Sequence, residues 1–151
     1  MNGRVMALVA CSLLLLGVPS QAQDWLQAQR WAQRLVIADA PLEAALTPAT
    51  AASEAALRER RMAVWVLDDG GLRWIGGSAP SASAEVGEAQ LASLRQALER
   101  APMRPGLHLF GLDGGLKASR SRADELQDLI EAVDSMPMRV REARGESARS
   151  E

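Results

Sequence analysis

Across 151 residues the chain has one cysteine, one histidine, one phenylalanine and no tyrosine. Each shortage excludes something. With Cys11 alone, no internal disulfide or cysteine-rich zinc site can form. With His108 alone, a histidine-rich metal site is out, and any serine- or cysteine-based triad would have to use that one ring. Lys117 is the only lysine, so neither Gly70-Gly71 nor Gly76-Gly77 is followed by the lysine that a phosphate-cradling loop requires. A formal net charge of −2 provides no basic surplus for nucleic acid. Aromatic residues make up 3% of the chain, so its core must be aliphatic, and a hydrophobic content of 48% suffices to build one domain with small attachments.

The first residues present a targeting segment. Arg4 supplies a positive charge, Val5 to Val18 an apolar run, and Ser20-Gln21-Ala22 a signal-peptidase site, which predicts cleavage after Ala22 and a periplasmic or secreted product. The run is short for a membrane span, and no stop-transfer segment follows. Leu8-Val9-Ala10-Cys11 resembles a lipoprotein box, but Ser12 to Leu16 continues the apolar run where a lipidated chain should turn polar. Cys11 would therefore leave with residues 1–22. The remaining chain then has no thiol for redox or nucleophilic chemistry.

The expected divisions are a leader at 1–22, a domain at 23–138 and a polar tail at 139–151 that frays. An arm carrying Trp25 and Trp31 leads into Arg34 to Ala38, an apolar run suited to a strand buried on both faces. Asp39-Ala40-Pro41 reads as a loop, and Thr47-Pro48 as the start of a helix running to about Arg60, with Glu54 and Arg58 paired one turn apart. Met62 to Leu67 is a second buried strand ending at Asp68-Asp69-Gly70-Gly71, and Leu72 to Ile75 offers an added edge strand. Gly76 to Ala84 is a loop, and Leu91, Leu94 and Leu98 stripe a helix over 87–101. Gly106 to Phe110 and Leu116 to Arg120 flank Leu112-Asp113-Gly114-Gly115 as a hairpin. Ser121 is the expected cap of a last helix, with Asp124 as its partner acid and Pro137 as its stop.

This order, β-α-β-α-β-β-α, predicts an α/β fold. Its sheet is four-stranded and mixed, in spatial order 4-3-1-2, with helices on both faces. Such an arrangement resembles the thioredoxin-like core.

Arg34-Leu35-Val36-Ile37 after a tryptophan-containing lead, Leu57-Arg58-Glu59-Arg60, Gly111-Leu112-Asp113-Gly114-Gly115-Leu116-Lys117 and Met136-Pro137-Met138-Arg139 together resemble the bacterial domain-of-unknown-function family 4174. The last two stretches are the specific ones, and the resemblance spans about Trp25 to Glu142. It implies an exported thioredoxin-like domain, related to domains of secreted sushi-repeat-containing and coiled-coil-containing animal proteins, with no established activity to carry over. Arg61 departs from the family's tendency to place an acid there.

Candidate chemistry is sparse. Asp39, Asp68 and Asp69 should gather at the carboxyl ends of the two parallel strands, where open α/β sheets bind ligands. The same aspartates are also good turn formers. Pro105 lies before the third strand, where thioredoxin-like proteins often place a cis proline. Lys117, Arg120 and Arg122 form a candidate anion patch, or simply a charged guard on an edge strand. His108 reads as a hydrogen-bonded strand residue, because no nucleophile motif accompanies it. No cofactor is expected. The favoured reading is a non-catalytic module that binds a protein, a peptide or an envelope component. The alternative is an enzyme using carboxylates at the Asp39/Asp68 edge, with or without a divalent ion. A third is a structural accessory attached through the Trp25/Trp31 arm.

Overall fold

The computed structural model describes residues 24–80 and 86–147. The leader, its predicted cut and Cys11 lie outside the described residues, as do positions 81–85 of the Gly/Ser/Ala/Pro-rich loop and positions 148–151. Helix α1 (Asp24–Gln29) precedes strand β1 (Arg34–Asp39), all six of whose residues are buried. β1 pairs in parallel with β2 (Met62–Asp68), from Arg34 opposite Met62 to Asp39 opposite Leu67. On its other side it pairs antiparallel with β4 (Leu107–Phe110), which forms a hairpin with β5 (Leu116–Arg120).

The sheet has five strands rather than four. Gly71–Gly77 (β3) adds an antiparallel edge to β2, giving the order β3-β2-β1-β4-β5. Within it, the run β5-β4-β1-β2 follows the 4-3-1-2 order expected for the other four. The edge strand outruns the expected Leu72–Ile75 segment and takes in two glycines that read as loop. Gly77 has φ +81, and a Cβ there would overlap the Met62 carbonyl oxygen, so only glycine lets this end of β3 close on β2.

Alternation along the two central strands makes two cores. Val36 and Ala38 of β1 join Met62, Val64 and Val66 of β2 under Leu46, Leu57, Leu129 and Ile130, which come from α2 (Glu43–Ala52), α3 (Glu54–Glu59) and α5 (Leu126–Asp134). Leu35 and Ile37 join Ala63, Trp65 and Leu67 on the other face, under Trp25 and the Leu94 and Leu98 stripe of α4 (Glu88–Glu99). Trp25 and Trp65 meet edge to face with ring centroids 5.2 Å apart. The Trp25 half of the arm is therefore core, whereas Trp31 remains 57% exposed.

Several local expectations are corrected. The first crossover helix opens at Pro41 rather than at Thr47-Pro48. Ala40–Leu42 is a single 3-10 turn that runs straight into α2, and Pro41 occupies an early position that needs no N–H donor. Pro48 falls inside α2, and the Thr47 hydroxyl turns back to donate to the Glu43 carbonyl at 3.0 Å. The last helix is capped by Glu125, not Asp124: the Ser121 and Arg122 amides both donate to Glu125 Oε2, at 3.1 and 3.0 Å. Asp124 pairs with Arg122 instead.

Pro137 begins a helix, α6 (Pro137–Ser147), so the tail is ordered at least to there. Charge docks this polar helix in place of an apolar face. Arg139 pairs with Glu59, and Glu142 bridges Arg61 and the buried Arg34, 3.3 Å from the latter.

Candidate functional site

Because β1 and β2 are parallel, both aim their carboxyl ends at the same edge of the sheet. The chain leaves β1 through Asp39 and β2 through Asp68. An open cleft of about 680 Å³ lies there, and Asp39, Asp68, Asp69 and Pro105 all line it. Arg95 and Glu99 of α4, together with Arg104, complete the walls. None of these three stands out from sequence. The signal available was positional: Arg95 and Glu99 are four apart and flank the Leu91/Leu94/Leu98 stripe, so they emerge at the rim of whatever that stripe covers.

Asp39 is the hub of the cleft. Its side chain is 7% exposed and accepts from Arg104 Nη2 at 2.5 Å and Nε at 3.3 Å, while the Gly106 amide donates to Oδ2 at 2.8 Å. The Asp39 amide returns a bond to the Gly106 carbonyl at 3.0 Å. The Arg104–Pro105 bond between these partners is cis.

Behind Asp39 lies His108, fully buried, with Nε2 3.5 Å from Asp39 Oδ2 and Nδ1 3.0 Å from Ser119 Oγ. A carboxylate only accepts, so Nε2 carries the ring hydrogen toward Asp39, and Nδ1 accepts from the Ser119 hydroxyl. Burial holds the His108 pKa below its ordinary value of 6.5, against the opposing pull of Asp39. The ring is therefore neutral at physiological pH. Aspartate, histidine and serine stand in a row here. Ser119 is 6% exposed and His108 completely covered, so the row is an internal hydrogen-bond chain and reaches no substrate.

Asp68 serves the turn, with Oδ1 accepting from the Gly71 amide at 2.8 Å, and Arg95 Nη2 caps the Asp68 carbonyl at 2.9 Å. Among the described residues no three His, Cys, Asp or Glu side chains are grouped to hold a metal ion. Asp39 is committed to its donors Arg104, the Gly106 amide and His108. The Asp39 carboxylate is thus a fixed polar group of the cleft wall, whereas Asp69 and Glu99 line the same cleft as exposed carboxylates.

The three cations of the candidate anion patch are neutralised one by one. Lys117 pairs with Asp113 at 2.5 Å, Arg120 with Asp128 at 3.5 Å and Arg122 with Asp124 at 2.5 Å. The Lys117 pairing in turn holds the Asp113 carboxyl below its usual range. Each of the three thus has a carboxylate partner of its own. Trp65 is buried and belongs to the core.

No helix among the described residues is long and apolar enough to cross a membrane. No curated protein matches the chain, and no solved structure does. A family model does match, over residues 25–142, which takes in every strand and all but the ends of the helical layers. The chain belongs to the family described as Domain of unknown function (DUF4174).

Proposed function

We propose that this chain is an exported thioredoxin-like domain that has lost thiol chemistry and works as a non-catalytic binding or accessory module of the cell envelope. A protein, a peptide or an envelope component would occupy the Asp39 cleft. The strand run β5-β4-β1-β2 with helices on both faces supports the thioredoxin-like reading. One observation carries the loss of redox function. Redox members of that fold hold their cysteines where the first strand meets the first helix; that region, Asp39 to Thr47 here, contains none and presents a carboxylate locked to Arg104 and a Gly106 amide. A side chain saturated in this way shapes a surface; it transfers neither electrons nor protons.

Export and binding are tested separately. Fractionation with N-terminal sequencing should recover a periplasmic or secreted chain beginning at Gln23. A chain retaining residues 1–22 in the cytoplasm, or lipidated at Cys11, would overturn the export reading. For binding, chains carrying a photo-crosslinker beside the cleft should label the same envelope species repeatedly. The charge reversal Glu99→Arg, at the cleft wall and outside the hydrogen-bond set of Asp39, should abolish that labelling while leaving the unfolding midpoint unchanged. Labelling that is equal in the two chains would reject the cleft as the binding surface.

A further inference from the structure

At the opposite end of β1 from the cleft, about 17 Å away along the strand, lies a second and more enclosed cavity of about 350 Å³. It is lined by Trp31, Leu112, Met136 and Met138, and its charged groups are Arg34, Lys117 and Asp113, the last paired with Lys117. The two more specific of the four stretches that carry the family resemblance meet here, through Gly111 to Asp113 with Lys117 and through Met136 to Met138, although they are distant in sequence. Small-molecule sites are typically apolar cavities of about 300–1,000 Å³ with a few convergent polar groups, and this one fits that description.

Trp31 is the unusual member. It is 57% exposed and takes φ +64, a left-handed conformation uncommon for a bulky residue. Its amide is tied to the Leu112 carbonyl at 2.7 Å, so the indole is held at the cavity by the backbone. Met138, 38% exposed, offers a flexible, polarizable wall suited to an aromatic face.

Arg34 supplies a polar contact. It is 1% exposed; Nη1 donates to the Arg60 carbonyl at 2.7 Å, and Nη1 and Nη2 both reach Glu142 Oε2, at 3.3 and 3.4 Å, which leaves Nε as the one guanidinium nitrogen with no hydrogen bond. A buried guanidinium N–H without an acceptor is an anomaly that an incoming anionic oxygen would remove. Lys117 is held only by a surface pair to Asp113, whose replacement by a ligand anion costs little.

We propose that this cavity binds a small, flat apolar ligand bearing an anionic group. Its rings would lie between Trp31 and the two methionines, and its anion would face Arg34 and Lys117. The site is separate from the Asp39 cleft and does not depend on the function proposed for it.

The test uses 8-anilino-1-naphthalenesulfonate as the probe and the chain as purified from cells. One equivalent should bind saturably, with energy transfer from tryptophan. Trp31→Ala and Met138→Glu should each weaken binding at least tenfold, and Lys117→Glu several-fold. Trp74→Ala, which removes an exposed tryptophan on β3, should change nothing. Unfolding midpoints for each variant separate lost binding from lost fold, since Trp31 and Met138 are surface residues. The neutral analogue N-phenyl-1-naphthylamine should bind several-fold more weakly. Non-saturable binding, unchanged affinity in Trp31→Ala and Met138→Glu, or an equal loss in Trp74→Ala would overturn the site. Equal affinity for the neutral analogue would overturn its anionic part.

Discussion

Asp39 and His108 meet diagonally across the antiparallel pair β1–β4, where His108 stands opposite Ile37, with Oδ2 3.5 Å from Nε2, in a pocket that exposes none of the imidazole. The contact is too long to be strong, and its pull on the ring's titration is outweighed by burial. Burial holds the folded pKa of His108 below the ordinary 6.5, so the unfolded chain takes up a proton first as pH falls. Stability from this group is complete above about pH 6.5 and declines as pH drops toward the folded value. Urea unfolding from about pH 7.5 to about pH 5.5 should show that decline in the parent chain and a flatter profile in His108→Gln. Parallel profiles would remove His108 as the cause.

Asp39→Ala removes the acceptor of Arg104, of the Gly106 amide and of His108 together. Leaving a buried amide and ring N–H without partners should cost roughly 2–4 kcal/mol. Asp39→Asn keeps one acceptor oxygen and should cost less. Chemical denaturation decides, and a loss for Asp39→Ala under about 1 kcal/mol would show that water replaces the carboxylate freely.

Two glycines should behave oppositely. Gly77→Ala drives a Cβ into the Met62 carbonyl at a positive φ and should cost at least about 3 kcal/mol or prevent folding. At Gly145 of α6 an added methyl would meet nothing within 4 Å, so Gly145→Ala should raise stability, by up to about 1 kcal/mol from helix propensity. Thermal unfolding of the pair is the check.

Glu142→Ala leaves the buried Arg34 with only the Arg60 carbonyl and should cost about 2–3 kcal/mol, with α6 loosening first. Burial raises the Glu142 pKa, but Arg61 and Arg34 outweigh it, and the net result lies below the ordinary 4.5. Its contribution is therefore present above about pH 4.5 and disappears as pH falls below that. Hydrogen exchange across 137–147 should accelerate in Glu142→Ala. Exchange unchanged from the parent would mean that Arg139 alone docks the helix.

The strands, the α4 stripe and the Asp113-Gly114 hairpin were readable from the chain because their causes are local. Alternation, helical spacing and turn chemistry each act within a few residues. The helix start was misplaced because Thr47-Pro48 and Pro41 carry similar signals, and the abrupt end of β1 at Asp39 selects the earlier one. Order in the tail was invisible because α6 has no apolar face to announce it; two arginines brought up by other elements hold it.

Residue types and spacing were thus enough to specify the α/β class and the absence of any thiol beyond Cys11. They could not specify which groups meet. Asp39 finds its partners 65, 67 and 69 residues away, and Arg34 meets Glu142 at a separation of 108. Such meetings follow from how the sheet closes and where its covering helices land, which local pattern does not encode. An arginine at the head of an apolar strand becomes the floor of a cavity only when the chain's last helix folds back over it.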